Sequence, residues 1–165
     1  MKSDLLMEFT VDKENSTVKV KREFAASSDN VWAAWTEPEL LDKWWAPRPW
    51  KSRTKSMDFK EGGKRLYAMV GPEGEEHWAW AEYLSISPKT NFKQIDGFCD
   101  SEGTVNEDFP SSVWDVNFSG QNGSTIVYIE IKHESLSDLE KIIEMGFEEG
   151  FKTAMEGLDE VFSER

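Results

Sequence analysis

Residues 137–162 read SDLEKIIEMGFEEGFKTAMEGLDEVF, and their spacing predicts one long amphipathic helix. At 100° per residue, Ile143, Phe147, Phe151, Ala154, Leu158, Val161 and Phe162 fall on one half of the cylinder. Lys141, Glu148, Glu149, Lys152, Glu156, Asp159 and Glu160 fall on the other. A helix of this length is roughly 40 Å long at ~1.5 Å per residue, about the width of a compact chain of this size. It must therefore cross the whole fold. Its surroundings read as strands, so the expected architecture is a curved sheet gripping one helix, with a cavity between them. Gly146, Gly150 and Gly157 lie along one edge of the apolar face. Each interior glycine costs about 1 kcal/mol relative to alanine. Close approach of the helix backbone to the sheet, room for a ligand, or a mobile helix is needed to offset that.

Working outward, residues 5–11 and 17–25 alternate as two strands around a turn at Asp12–Asn15. Ser27 or Ser28 caps a short helix, DNVWAAWT. Thr36 and Glu39 have capping-box spacing for a second, through LLDKWW, with Pro38 in its first turn. Short strands follow: SMDFK, RLYAMV after Gly62-Gly63, HWAWAEYLSI after a turn at 71–74, and NFKQIDGFC. Residues 100–110 read as an acidic loop. SSVWDVNFS and STIVYIEIKH form two strong strands joined through Asn122-Gly123, a hairpin signal. Ser137 and Glu140 form a capping box for the long helix. Strands in meander order with helices on one face make an α+β domain, here expected to be a single domain over residues 1–165.

Composition narrows the partners. The chain has 165 residues and a formal net charge of −13, which argues against nucleic acid and anionic membrane surfaces. No run reaches the ~20 apolar residues of a membrane helix, so no membrane insertion is expected. Cys99 is the only cysteine; no internal disulfide is possible, and with no signal-peptide pattern in MKSDLLMEF a cytoplasmic location is expected. Two histidines far apart in sequence do not make a metal site. The acidic loop around Asp100, Glu102, Glu107 and Asp108 fits no calcium-loop spacing.

Several segments in this order resemble the family of activator of heat-shock protein 90 ATPase homologue-like proteins, within the START-like (SRPBCC) superfamily. They are REFAASSDNVWAAWTEPELLDKWWAP at 22–47, MDFKEGG at 57–63, MVGPEGEEHWAWAEYLSISP at 69–88, VWDVNFSGQNGSTIVYIEIKH at 113–133 and GFEEGFKTAMEGLDEV at 146–161. The resemblance covers about 17–162. It implies a helix-grip (START-like, Bet v-like) fold: an antiparallel sheet curled around the C-terminal helix, with two small helices closing one end. It also implies three functions to weigh. The first is binding of an apolar or lipid-like small molecule in the cavity. The second is a chaperone-linked, stress-response interaction domain. The third is a polyketide-cyclase-type enzyme.

The expected cavity lining follows from strand parity. Trp78 and Trp80 share a face with Glu82, Leu84 and Ile86; Trp114 shares one with Val116 and Phe118; Val127, Ile129, Ile131 and His133 share another. Phe147, Phe151 and Met155 descend the helix at four-residue spacing. Trp44, Trp45 and Trp50 sit where the resemblance places the pocket mouth. If Trp80 and Leu84 point inward, so does Glu82, a buried carboxylate that would bind a ligand amine or hydroxyl, act as a general base, or be satisfied by Arg22, Lys64, Arg65 or a turn amide. Ordinary core packing is the competing reading for each of these residues. No residues read as a catalytic set, and no cofactor or metal is expected.

Overall fold

The chain runs β1 (Met7–Asp12), β2 (Thr17–Phe24), α1 (Ser28–Thr36), α2 (Pro38–Trp44), β3 (Lys51–Met57), β4 (Lys64–Val70), β5 (Glu76–Ser87), β6 (Asn91–Phe98), β7 (Ser112–Gln121), β8 (Ser124–His133), α3 (Leu136–Glu144) and α4 (Phe147–Ser163). The computed structural model describes residues 5–109 and 111–163. The sequence readings of residues 1–4 and of the last residue of the 100–110 loop lie outside the described residues.

All eight strands join one antiparallel sheet in the order β1-β2-β8-β7-β6-β5-β4-β3. Asn122 and Gly123 both have positive φ, 44° and 86°, the pair of values a tight β7–β8 hairpin turn requires. Bulges between Thr54 and Ser56 and between Tyr83 and Ser85 break the ladder and bend the sheet locally. The helices lie against its concave face, which is the helix-grip arrangement. Val18, Val116, Val127, Leu139 and Leu158 are wholly buried between the layers.

The segment 137–162 is not one rod. It is two helices, α3 and α4, with Gly146 at φ +90° between them. Met145 closes α3, and the Gly146 N–H donates to the Ile143 carbonyl at 3.0 Å, as at a glycine C-terminal stop. The Gly146 carbonyl then accepts from the Gly150 N–H at 3.1 Å, opening α4. One glycine therefore ends the first helix and starts the second. The rod that lies along the sheet is the 17-residue α4, about 25 Å long.

Opposite effects are expected from two substitutions here. Gly146→Ala places a side chain at positive φ and is expected to cost about 1 kcal/mol. At Gly150 an added Cβ meets only the Pro47 ring at 3.5 Å, so Gly150→Ala is expected to gain ~0.5–1 kcal/mol of helix propensity. Urea midpoints measure both; a shared sign would contradict the break.

Three further expectations are corrected. The cap of α3 is Ser135, which accepts from the Asp138 N–H at 3.1 Å, not Ser137. Thr36 ends α1, donating its hydroxyl to the Trp32 carbonyl at 2.8 Å, and α2 begins at Pro38 with no side-chain cap. Asp159, assigned to the solvent half of the helix, is buried and accepts from Arg22 at 2.5 Å. This pair ties α4 to β2.

Candidate functional site

The residue types at 79 and 81 decide where the space lies. On β5 the buried positions are Ala79, Ala81 and Tyr83, while Trp78, Trp80 and Glu82 are only part-buried. The strand therefore presents alanines inward and tryptophans outward, the reverse of the expected parity. Small side chains on the concave face leave a hollow of about 280 Å³ between the sheet and α3–α4.

Of the residues expected to line it, Trp44, Trp45, Trp114, His133, Phe147 and Phe151 do so. Trp50 and Trp78 lie apart from this hollow, in a broader adjoining groove of about 700 Å³, with His77 and Phe109. Pro47, Met69, Phe98 and Met145 border both spaces. Met155 is buried in the core. Trp80 and Glu82 are on the outer face. Trp80 lies over Gly97, where an added Cβ would stand 3.2 Å from its indole nitrogen. Glu82 pairs in register with Lys64. The basic residues considered as its partners are used elsewhere: Arg22 by Asp159, and Arg65 by Asp42, Ser52 and Thr54.

Aromatic rings form a continuous wall. Trp45 and Trp114 are 5.5 Å apart between centroids, Trp114 and Phe151 6.0 Å, and Phe147 and Phe151 5.4 Å. Two indole N–H groups are spent internally: Trp44 donates to the Ala34 carbonyl and Trp45 to the Tyr67 hydroxyl, both at 2.9 Å. These bonds fix the rings that α2 delivers to the cavity.

A polar row crosses the sheet beneath this wall. Ala81, Asp96, Ser112 and His133 are successive register partners on β5, β6, β7 and β8. Asp96 accepts from the Ser112 hydroxyl at 3.1 Å and from the Gln94 amide at 3.3 Å. Protein encloses it, yet it remains part-exposed because it borders the hollow. Burial pushes its carboxyl up to about 7, with the bonds from Ser112, Trp114 and Gln94 and the charge of Arg65 pulling the other way. His133 is 3% exposed, and its Nδ1 is buried with no hydrogen-bond partner. Burial lowers its pKa, so the ring is held neutral near pH 7. Tyr67 is buried at the same wall, and burial raises its pKa.

The row holds the three residue types of a hydrolytic triad, but not its order of bonds. Ser112 gives its one proton to Asp96 and accepts from the Trp114 indole at 3.2 Å. Among the described residues no hydrogen bond joins Ser112 to an imidazole, so the serine–histidine link of such a triad is not made. Among the described residues no group of His, Cys, Asp and Glu could hold a metal ion. Burial, with the Asp100 charge, pushes the Cys99 thiol up to about 11, leaving it protonated and unreactive. No helix among the described residues is long and apolar enough to cross a membrane.

Asp96, Ser112 and Tyr67 were missed in the sequence. The available signal was parity: Gln94 and Asp96 fall on the same side of β6 as Phe92, which is 2% exposed.

Comparison with known proteins places this geometry in context. A profile described as "Activator of Hsp90 ATPase homolog 1-like protein" matches residues 25–163. No curated protein matches. A solved structure from Arthrobacter aurescens superimposes with a TM-score of 0.91 at 31% identity, covering 96% of this chain and 92% of that one. One from Mycobacterium smegmatis has a TM-score of 0.86 at 27% identity, over 95% and 96% of the two chains. The AHSA1 protein from Silicibacter pomeroyi, at 19% identity, 89% and 97% coverage and a TM-score of 0.70, shares the fold.

Proposed function

The chain belongs to the Activator of Hsp90 ATPase homolog 1-like family, and we propose that it binds a small, largely apolar molecule between α4 and the sheet. The observation that carries this reading is the hollow of about 280 Å³ with polar groups set into an aromatic wall. Protein interiors are otherwise close-packed, with few voids larger than a water molecule. Ligand sites are apolar concavities with a few placed polar groups, from about 300 Å³ upward. At about 280 Å³ this one falls just below that range, which suits one ring system with a short arm.

The polar groups serve to orient a ligand, not to turn it over. Ser112 is committed to Asp96, and no second acid or base stands on the α3–α4 side of the hollow, where Ile142, Met145, Phe147, Phe151 and Ala154 are apolar. Binding is accordingly favoured over catalysis of the polyketide-cyclase type.

Titration with the neutral dye aminoanthracene tests the reading by its fluorescence. Wild type is expected to bind it. Ala79→Phe, which fills the floor of the hollow, is expected to weaken binding at least tenfold while keeping its melting temperature within a few degrees. Equal affinity in both proteins, or no binding to wild type, would refute the proposal.

A further inference from the structure

Resting on that reading of the cavity, we infer that the ligand carries a protonated amine whose ammonium group sits on Asp96, with its apolar body among the aromatic rings. The first support is the set of bonds Asp96 makes. Its partners, the Ser112 hydroxyl, the Trp114 indole and the Gln94 amide, are all neutral donors. An ionised carboxylate offers about four acceptor sites, so three neutral bonds leave capacity for a donor arriving from the cavity.

The second support is the charge around it. No lysine or arginine among the described residues lines the hollow. The cation that reaches Asp96 electrostatically is Arg65 on β4, and its guanidinium is already held by Ser52 at 3.0 Å, Thr54 at 3.1 Å and Asp42 at 3.4 Å. The other titratable groups facing Asp96 are Tyr67 on β4, Tyr83 on β5 and, along the polar row, His133 on β8. Burial keeps both phenols protonated and the imidazole neutral. From α3 and α4 the lining side chains are uncharged. Among the described residues Asp96 is thus the one acid of the cavity wall, and no cation of the lining answers it.

The third support is the lining itself. Trp45, Tyr67, Trp114, Phe147 and Phe151 surround the space above the carboxyl. Aromatic faces attract cations, more strongly where water is excluded. A charge-assisted bond is roughly twice as strong as a neutral one, so an amine gains over an alcohol of equal size. A carboxylic acid would meet Asp96 as a like charge. The net charge of −13 also draws cations toward the protein and repels anions.

Isothermal titration calorimetry with phenethylamine, phenethyl alcohol and phenylpropionate, at pH 8, tests the inference on wild type and on Asp96→Asn. Wild type is expected to bind the amine at least tenfold more tightly than the alcohol or the acid. Asp96→Asn is expected to abolish that preference. Because the carboxylate must be ionised, amine affinity should also rise several-fold from pH 6 to pH 8, and the alcohol's should not. An alcohol or acid that binds wild type as well as the amine overturns the inference while leaving the cavity reading standing. So does a preference that survives in Asp96→Asn. Failure of all three compounds to bind overturns both.

Discussion

Asp96→Asn is expected to raise the melting temperature by about 5 °C at pH 8, and the gain should vanish toward pH 4. The folded protein holds the Asp96 proton up to about pH 7, whereas a free aspartate releases it near 3.8. Between those values the folded state binds more protons than the unfolded one. Stability therefore falls as pH rises through this window and is fully restored below it. About three pH units at about 1.4 kcal/mol each set an upper bound near 4 kcal/mol. Asp96 borders the hollow, so water reaches it and reduces the figure to ~2 kcal/mol, which for a chain of this size shifts the midpoint by roughly 4–8 °C. Asparagine keeps an acceptor for the Ser112 hydroxyl and has no charge to desolvate. Calorimetric melting of both proteins from pH 4 to pH 8 measures the difference. Parallel curves would mean that Asp96 is not destabilised by burial.

Asp159→Ala is expected to be the most damaging of the substitutions considered. Arg22 and Asp159 meet at 2.5 Å with side chains that are each only 8% exposed. Removing the acid leaves the guanidinium buried with the Glu23 carbonyl at 2.6 Å and the Phe24 ring at 4.9 Å from its carbon. Breaking a buried pair from one side costs about 3–5 kcal/mol. The double variant Arg22→Met with Asp159→Leu is expected to recover most of that, because no charge then remains without a partner. Urea unfolding measures all three; a loss under about 1.5 kcal/mol for Asp159→Ala would show that water reaches Arg22.

Much of the sheet could be read from the chain because its signals are local. The alternation in STIVYIEIKH and the Asn122-Gly123 turn each act over a few residues, and β7 and β8 stand where they point. The order of elements and the pairing of a concave sheet with helices followed from the same signals and from the family resemblance. What failed depended on a choice that local pattern does not make. β5 alternates alanine and tyrosine with tryptophan and glutamate, and either set satisfies the period of two. Bulk pointed to the tryptophans, yet the concave side of a gripping sheet needs the smaller residues where a hollow is to remain. Gly146 was counted as a helix interior because the apolar stripe continues on both sides of it. Its positive φ is set by the turn between two helices and leaves no mark on the periodicity. Asp96 stayed hidden because its neighbours on β7 and β8 are remote in sequence, and only the register brings them into one row.

The Arg22–Asp159 pair joins residues 137 positions apart, and β2 pairs with β8 from Thr17 with Lys132 to Phe24 with Thr125, also more than a hundred positions apart. A nascent chain emerging from the ribosome has neither Asp159 nor β8 to offer its second strand until those later residues have been made. The early hairpin must wait, with a cation destined for the interior still in water. Such long-range closure makes for slow folding. It also means that translation stopping short of Asp159 would yield a sheet whose penultimate strand, β2, holds an unanswered charge, a product that cellular quality control should find easy to recognise.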